Sequence, residues 1–88
     1  MPKSIHKPEA PLLGELLREM REKTVLNQTE LGARFGRSQS YISGVELGKK
    51  VPDVLELRDH CAALKQDFVR FVSQLEKRIA SRIVRKNL

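Results

Sequence analysis

The sequence predicts an all-α fold of five short helices, and three observations support this. From Leu13 onward, apolar side chains recur at the three- and four-residue spacing of helices. No segment shows the two-residue alternation of a half-buried strand. Glycine and helix-capping residues interrupt the apolar pattern, which predicts short turns. A glycine turn between two short helices favours a near-perpendicular crossing, so we expect an orthogonal bundle rather than an up-and-down bundle.

The first helix is expected to begin at Pro11, because proline fits the first turn of a helix. We expect the helix to end near Lys23 or Thr24. Residues 1–10 include two prolines and show no periodicity, so they are predicted to form a flexible arm. The apolar face of the helix comprises Leu13, Leu16, Leu17 and Met20.

The second helix begins with a capping pattern. Asn27 is a favourable N-cap residue, and Glu30 three residues later completes a capping box. The predicted helix runs from Gln28 to Phe35. Gly36 follows it, and a glycine just past a helix end adopts the left-handed conformation without steric cost.

Similar signals delimit the remaining three helices. Ser38 can cap a third helix that runs to about Leu47, and Asp53 can cap a fourth. Asp67 can cap the fifth helix. The third helix is expected to bury Ile42 and Val45. The inner face of the fourth is predicted to comprise Val54, Leu57, Cys61 and Leu64, and the fifth carries Phe68, Phe71, Val72, Leu75, Ile79 and Ile83.

The charge balance suggests a polyanionic partner. The chain has 17 lysine and arginine residues against 11 acidic residues, a net charge of +6 and a pI near 9.9. Nucleic acid is the first candidate for such a protein. A single cysteine and two widely separated histidines argue against a disulfide or a zinc cluster. Without a membrane span or signal peptide, the chain is expected to be cytoplasmic, with no cofactor and no small-molecule ligand.

Residues 28–47 read QTELGARFGRSQSYISGVEL, which has the pattern of a helix-turn-helix unit. The stretch from Leu13 to Leu64 resembles the phage repressor and Cro family, also called the xenobiotic-response-element family. The resemblance rests on this unit together with LGELLREMRE before it, GKKVP after it and a helix ending in CAAL. The resemblance implies a lambda-repressor-like, five-helix DNA-binding domain whose third helix reads the major groove. We expect this domain to occupy residues 11–66.

The resemblance also assigns roles to individual residues. Gln28 matches the family's phosphate-binding glutamine, and Gln39 and Ser40 match its base-contacting positions. Ser43 is a further candidate for a base contact. The expected phosphate contacts are Asn27, Gln28, Arg37, Tyr41, Lys49 and Lys50. A glutamine amide can pair bidentately with adenine, whereas phosphate contacts set the register of the protein on DNA.

Several residues are interpreted as structural. Arg21 and Glu46 match a pair that forms a salt bridge in relatives. Gly44 stands where the family often has a base-contacting side chain, so we interpret it as permitting close packing or close approach to DNA. Gly32 replaces the family's usual alanine, and both residues are small enough for packing to survive. We expect Cys61 in the core, and His60 half-buried beside it.

The expected function is that of a sequence-specific transcriptional regulator that acts as a repressor and binds double-stranded DNA as a homodimer on an inverted repeat. An extended C-terminal helix over residues 67–88 is the predicted dimerisation element, through Phe68, Val72, Leu75, Ile79 and Ile83. One alternative is an antitoxin that represses its own operon and binds a toxin. Another is a protein-interaction adaptor that does not bind DNA. An RNA-binding protein is disfavoured because the third helix offers no aromatic platform on which bases could stack. An enzyme is disfavoured because the sequence shows no catalytic set of serine, histidine and acid.

Overall fold

Five helices follow one another in a computed structural model that describes residues 8–82. Their bounds are Glu9–Glu22 (α1), Gln28–Ala33 (α2), Gln39–Glu46 (α3), Val54–Ala63 (α4) and Phe68–Arg82 (α5). The described residues form no strand. The all-α prediction is therefore confirmed. Most of the expected arm, as well as Ile83, lies outside the described residues.

The helix starts differ from expectation at one place. α1 begins at Glu9, two residues before Pro11, and Pro8 takes the N-cap position without a side-chain cap. Proline is tolerated at Pro11 because the N–H groups of a first turn have no intrahelical acceptor. The capping box predicted at Asn27 is present, with Glu30 N donating to Asn27 Oδ1 at 2.8 Å, and Asp53 caps α4 as expected, in a second capping box with Glu56.

The core lies where α1, α2, α3, α4 and the start of α5 meet. Its fully buried side chains include Leu17, Leu31, Ile42, Val45, Cys61 and Phe71. Val54 was expected inside but is 64% exposed, because it lies in the first turn of α4, outside the buried face centred on Leu57 and Leu64. His60 occupies that face instead and is fully buried rather than half-buried.

Two glycines allow backbone segments to approach closely. A Cβ at Gly14 of α1 would lie 2.5 Å from the carbonyl oxygen of Glu46, and closer still to that of Val45. A Cβ at Gly32 would collide with the carbonyl oxygen of Arg37. The glycine at position 32 therefore packs as expected, whereas the alanine that the family usually has would not fit this backbone. Gly14, which the sequence did not single out, lets α1 pack directly against the end of α3.

α5 is held against α1 by charged side chains. Arg78 donates to Glu15 at 3.1 Å and to Glu19 at 3.0 and 3.1 Å, and Arg82 lies 3.2 Å from Glu15. Hydrogen bonding to Arg78 lowers the pKa of Glu19.

Within residues 8–82, no helix is long and apolar enough to cross a membrane.

Candidate nucleic-acid interface

The turn between α2 and α3 orients the third helix. Gly36 has a φ of +72°. This conformation is unfavourable for any residue that has a side chain. The Arg37 N–H donates to the carbonyl of Gly32 at 2.8 Å, which closes the turn. The Ser38 side chain then accepts from the Tyr41 N–H at 3.1 Å and caps α3 as expected.

α3 has one buried face and one accessible face. Ile42 and Val45 face the core and are almost completely buried. Gln39 and Ser40 are exposed at the N-terminal end of the helix, while Ser43 is half-buried one turn later. The expected base-contacting residues therefore share the accessible side of α3 but differ in how far they project.

A chain of hydrogen bonds links the core to the exposed end of α3. The Arg21 guanidinium donates to both carboxylate oxygens of Glu46, at 2.6 and 3.0 Å. This side-chain pair is shielded from solvent, with Glu46 only 2% exposed. The Gln28 Nε2 group also donates to Glu46, at 2.9 Å, and the Gln28 Oε1 atom accepts from Gln39 Nε2 at 2.6 Å. We call these four residues the amide relay.

Glu46 determines the direction of the amide relay. An ionised carboxylate has no hydrogen to donate, so Gln28 must turn its NH₂ group toward Glu46. The Gln28 oxygen then faces Gln39, and Gln39 must donate to it. One N–H and the oxygen of the Gln39 amide remain available. The same ion pair raises the pKa of Arg21, chiefly through its hydrogen bonds to Glu46.

Arg37, Tyr41 and Lys50 form a second group on the other side of α3. The Arg37 guanidinium lies 4.4 Å from the centre of the Tyr41 ring and donates to Glu56 at 2.9 Å. Lys50 Nζ lies 5.8 Å from the same ring. These three side chains and the serines at positions 38 and 40 line a shallow recess of about 390 Å³.

The position of Tyr41 does not suit the phosphate contact that was expected of it. The residue is buried, and its hydroxyl oxygen is enclosed, without a hydrogen-bond partner among residues 8–82. Burial is also the main reason why its pKa is raised. A phosphate contact by this hydroxyl does not follow from its placement. Tyr41 instead contributes its ring, on which the two cations rest.

The other predicted contacts vary in availability. Asn27, Lys49 and Lys50 are exposed. The Asn27 side chain is occupied by its cap of α2, and Arg37 is shared between Tyr41 and Glu56. Gly44 meets no backbone, since a Cβ there would touch only Lys50 Cβ at 3.6 Å. Packing inside the domain therefore does not require Gly44.

The apolar stripe of α5 is only partly exposed. Phe68 and Leu75 pack against the core of the same chain. Val72 is 41% exposed, and Ile79 is half-buried. Val69, which was not among the predicted dimerisation residues, is 75% exposed.

Two residues near the interface were missed by sequence reasoning. Arg18 of α1 and Leu47 line a recess of about 220 Å³ together with Gln28 and Ser43, and the ion pair of the amide relay closes it. Leu47 is 58% exposed. The four-residue spacing from Gln39 through Ser43 to Leu47 could have identified Leu47. Nothing local marks Arg18, because only the fold brings α1 beside α3.

On the inner side of α3, the buried rings of Tyr41 and His60 form an aromatic cluster with the half-buried ring of Phe35. The His60 ring centre lies 5.2 Å from that of Phe35 and 6.5 Å from that of Tyr41. Neither His60 nitrogen has a hydrogen-bond partner among residues 8–82. Burial lowers the pKa of His60 to about 4, and the nearby Glu46 only partly opposes this effect.

Comparison with known proteins identifies the same region. A family model described as a helix-turn-helix domain matches residues 12–69. A protein of Sinorhizobium fredii (strain NBRC 101917 / NGR234), named as the uncharacterized HTH-type transcriptional regulator y4dJ, is 33% identical over 66 residues. The matched region covers 75% of this chain and 86% of that relative.

Proposed function

This chain belongs to the phage repressor-like, xenobiotic-response-element family of helix-turn-helix regulators, and on that premise we propose that it represses transcription by binding an inverted-repeat operator as a homodimer. DNA binding and transcriptional regulation are properties of the family. The proposal concerns which residues read the operator, how two copies are arranged and the direction of regulation.

The amide relay is the observation that supports Gln39 as the base-reading residue. The remaining Gln39 N–H can donate to adenine N7 while its oxygen accepts from N6, the bidentate pairing that glutamine makes in the major groove. Because Gln28 already holds the other N–H, the amide has less rotational freedom to lose on binding. We therefore propose that Gln39 specifies adenine and that Ser40 adds a less selective contact.

Phosphate contacts complete the proposed interface. Lys49 and Lys50 are exposed just after α3, and Arg37 precedes it. Cations in these positions can flank a helix that enters a groove about 12 Å wide. They would supply affinity that depends on salt but not on sequence, about −0.9 in log–log slope for each phosphate neutralised.

The test is selection of genomic fragments by wild type and by Gln39→Ala across a salt series. Gln74→Ala serves as the control, since Gln74 is exposed on α5. We expect wild type and the control to select the same inverted repeat. Gln39→Ala should lose discrimination at one base pair per half-site and keep its non-specific affinity. Equal selection by all three proteins would contradict the assignment.

Exposed apolar surface on α5 supports the homodimer. Val69 and Val72 remain accessible, whereas Phe68 and Leu75 are partly used by the core. Dimers place two reading helices about one helical turn apart, and each then reads a half-site. We expect sedimentation to detect a dimer at tens of micromolar that Val72→Asp weakens. A wild-type protein that is monomeric at that concentration and on its operator would refute this arrangement.

A further inference from the structure

We propose that α1 takes part in DNA binding, through a recess in which Arg18 holds a phosphodiester of the duplex backbone. The recess is lined by Arg18, Arg21, Gln28, Ser43, Glu46 and Leu47. The inference rests on the proposed function, because the ligand is the backbone of the bound duplex. It adds a contact from a helix that had no predicted role at the interface.

The charge of the recess favours an anion. Arg21 and Glu46 neutralise each other through two short hydrogen bonds. Arg18 is the remaining charged group of the lining, and its ion-pair partner Glu22 does not line the recess. The volume of the recess, about 220 Å³, is large enough for a tetrahedral oxyanion with part of its sugar.

The lining also presents hydrogen-bond donors that are not yet used. Arg18 donates through Nε to Glu22 at 3.0 Å, which leaves the four N–H groups of its terminal nitrogens without a partner among residues 8–82. Gln28 keeps one N–H after donating to Glu46. The Ser43 hydroxyl adds a third donor. Guanidinium, amide and hydroxyl donors around one opening match the acceptor oxygens of a phosphodiester.

The position of the recess favours the backbone over a base edge. α1 packs against the last turn of α3, at Gly14, so Arg18 lies beside the reading helix rather than ahead of it. Groups beside a helix that enters the major groove face the phosphates at the rim of the groove. Ser43 is half-buried in this recess. We therefore assign Ser43 to the phosphate rather than to a base. Leu47 forms an apolar wall against which a deoxyribose can pack.

In the free protein, the ion pair with Glu22 holds Arg18 to one side. Both side chains are more than half exposed and lie four residues apart on α1. Such surface pairs are weak and easily exchanged. A phosphate can therefore recruit Arg18 at little cost, and Glu22 lowers the affinity for DNA by competing for it.

The experiment compares wild type with Arg18→Gln on a selected operator across a salt series. Arg58→Gln is the matched control, because it removes the same charge from an exposed position on α4 that has no ion pair within residues 8–82. We expect Arg18→Gln to weaken binding on the order of tenfold and to reduce the salt slope by about 0.9 for each half-site, or about 1.8 for the dimer. Its base preferences should not change. The control should alter both quantities much less.

Neutral methylphosphonate linkages then locate the contact. At one position per half-site, such a linkage should weaken DNA binding by wild type but not by Arg18→Gln. The reason is that the methylphosphonate removes the phosphate charge that Arg18 contacts. Glu22→Gln should tighten binding several-fold, and this gain should disappear when Arg18 is also replaced. Far-UV circular dichroism shows whether each variant is folded.

Three outcomes are distinguishable. A neutral linkage that weakens DNA binding by wild type but not by Arg18→Gln supports the inference. Equal effects of Arg18→Gln and Arg58→Gln, or linkages that weaken both proteins alike, would overturn it while leaving the proposed function intact. A folded wild-type protein that binds no duplex would overturn the proposed function, and this inference with it.

Discussion

Mild acid should destabilise this domain chiefly through one residue, His60. Its ring is fully buried between Phe35 and Tyr41, and both of its nitrogens lack hydrogen-bond partners within residues 8–82. A charged imidazolium in this place loses its hydration and gains no hydrogen bond, and the attraction of Glu46 only partly compensates. The perturbation that isolates the effect is His60→Leu, which removes the titrating group and keeps a side chain of similar volume.

The magnitude follows from the two protonation equilibria. The pKa of His60 is about 4 in the folded protein and 6.5 in the unfolded chain. Between these values the unfolded chain binds more protons, so the stability that is present above pH 6.5 is lost as the pH falls toward 4. This linkage lowers the free energy of unfolding by about 2 kcal/mol between pH 7.5 and pH 5, and by about 3 kcal/mol below pH 4.

Urea unfolding of wild type and His60→Leu at pH 7.5, 6.0 and 5.0 measures the effect. Hydrogen bonding to Arg78 lowers the pKa of Glu19, so this carboxylate contributes little above pH 5. Wild type should lose stability across this range, and His60→Leu should lose much less. The variant should be nearly as stable as wild type at pH 7.5, because it removes two unsatisfied polar atoms. Equal pH dependence of the two proteins would refute the reasoning.

Three further predictions concern packing and reactivity. Gly14→Ala should lower the free energy of unfolding by about 1 to 3 kcal/mol, because the added Cβ overlaps the backbone of α3. The matched control Gly44→Ala should leave the free energy of unfolding unchanged or raise it by up to about 1 kcal/mol. Urea unfolding measures both variants. Glu46→Leu should cost about 3 to 5 kcal/mol, since it leaves Arg21 shielded from solvent without its counter-charge; a loss below 1 kcal/mol would argue against a buried pair. Burial raises the pKa of Cys61 to about 12, so mass spectrometry should detect its alkylation only in denaturant; rapid modification of the native protein would contradict its burial.

Local signals predicted the five helices, although α1 begins two residues earlier than expected and α2 ends two residues earlier, at Ala33 rather than Phe35. Asn27 and Asp53 each have a glutamate three residues later, and each forms the capping box that this spacing predicts. Gly36 adopts the left-handed conformation that a glycine after a helix favours. These features depend on side chains within one turn of each other, so a single sequence is enough to find them.

Packing between helices was harder to predict. Val54 matched the helical spacing of a buried face but lies in a first turn that no neighbour covers, whereas the polar His60 is fully enclosed. The need for glycine at positions 14 and 32 comes from carbonyl groups of other segments. Periodicity shows which residues share a helix face, but the neighbours that cover that face depend on the tertiary structure.

The amide relay shows why the candidate site also exceeded what sequence could predict. Gln39 was assigned by its position in a family pattern, which says nothing about how its amide is turned. Its orientation depends on Gln28, 11 residues away, and on Glu46, which lies 18 residues from Gln28. Glu46 was interpreted as part of a structural ion pair. Because a carboxylate accepts and cannot donate, that pair also determines which atoms Gln39 can offer to a base. The residue that stabilises the core therefore constrains the proposed base preference as well, and a substitution at Glu46 should change specificity and stability together.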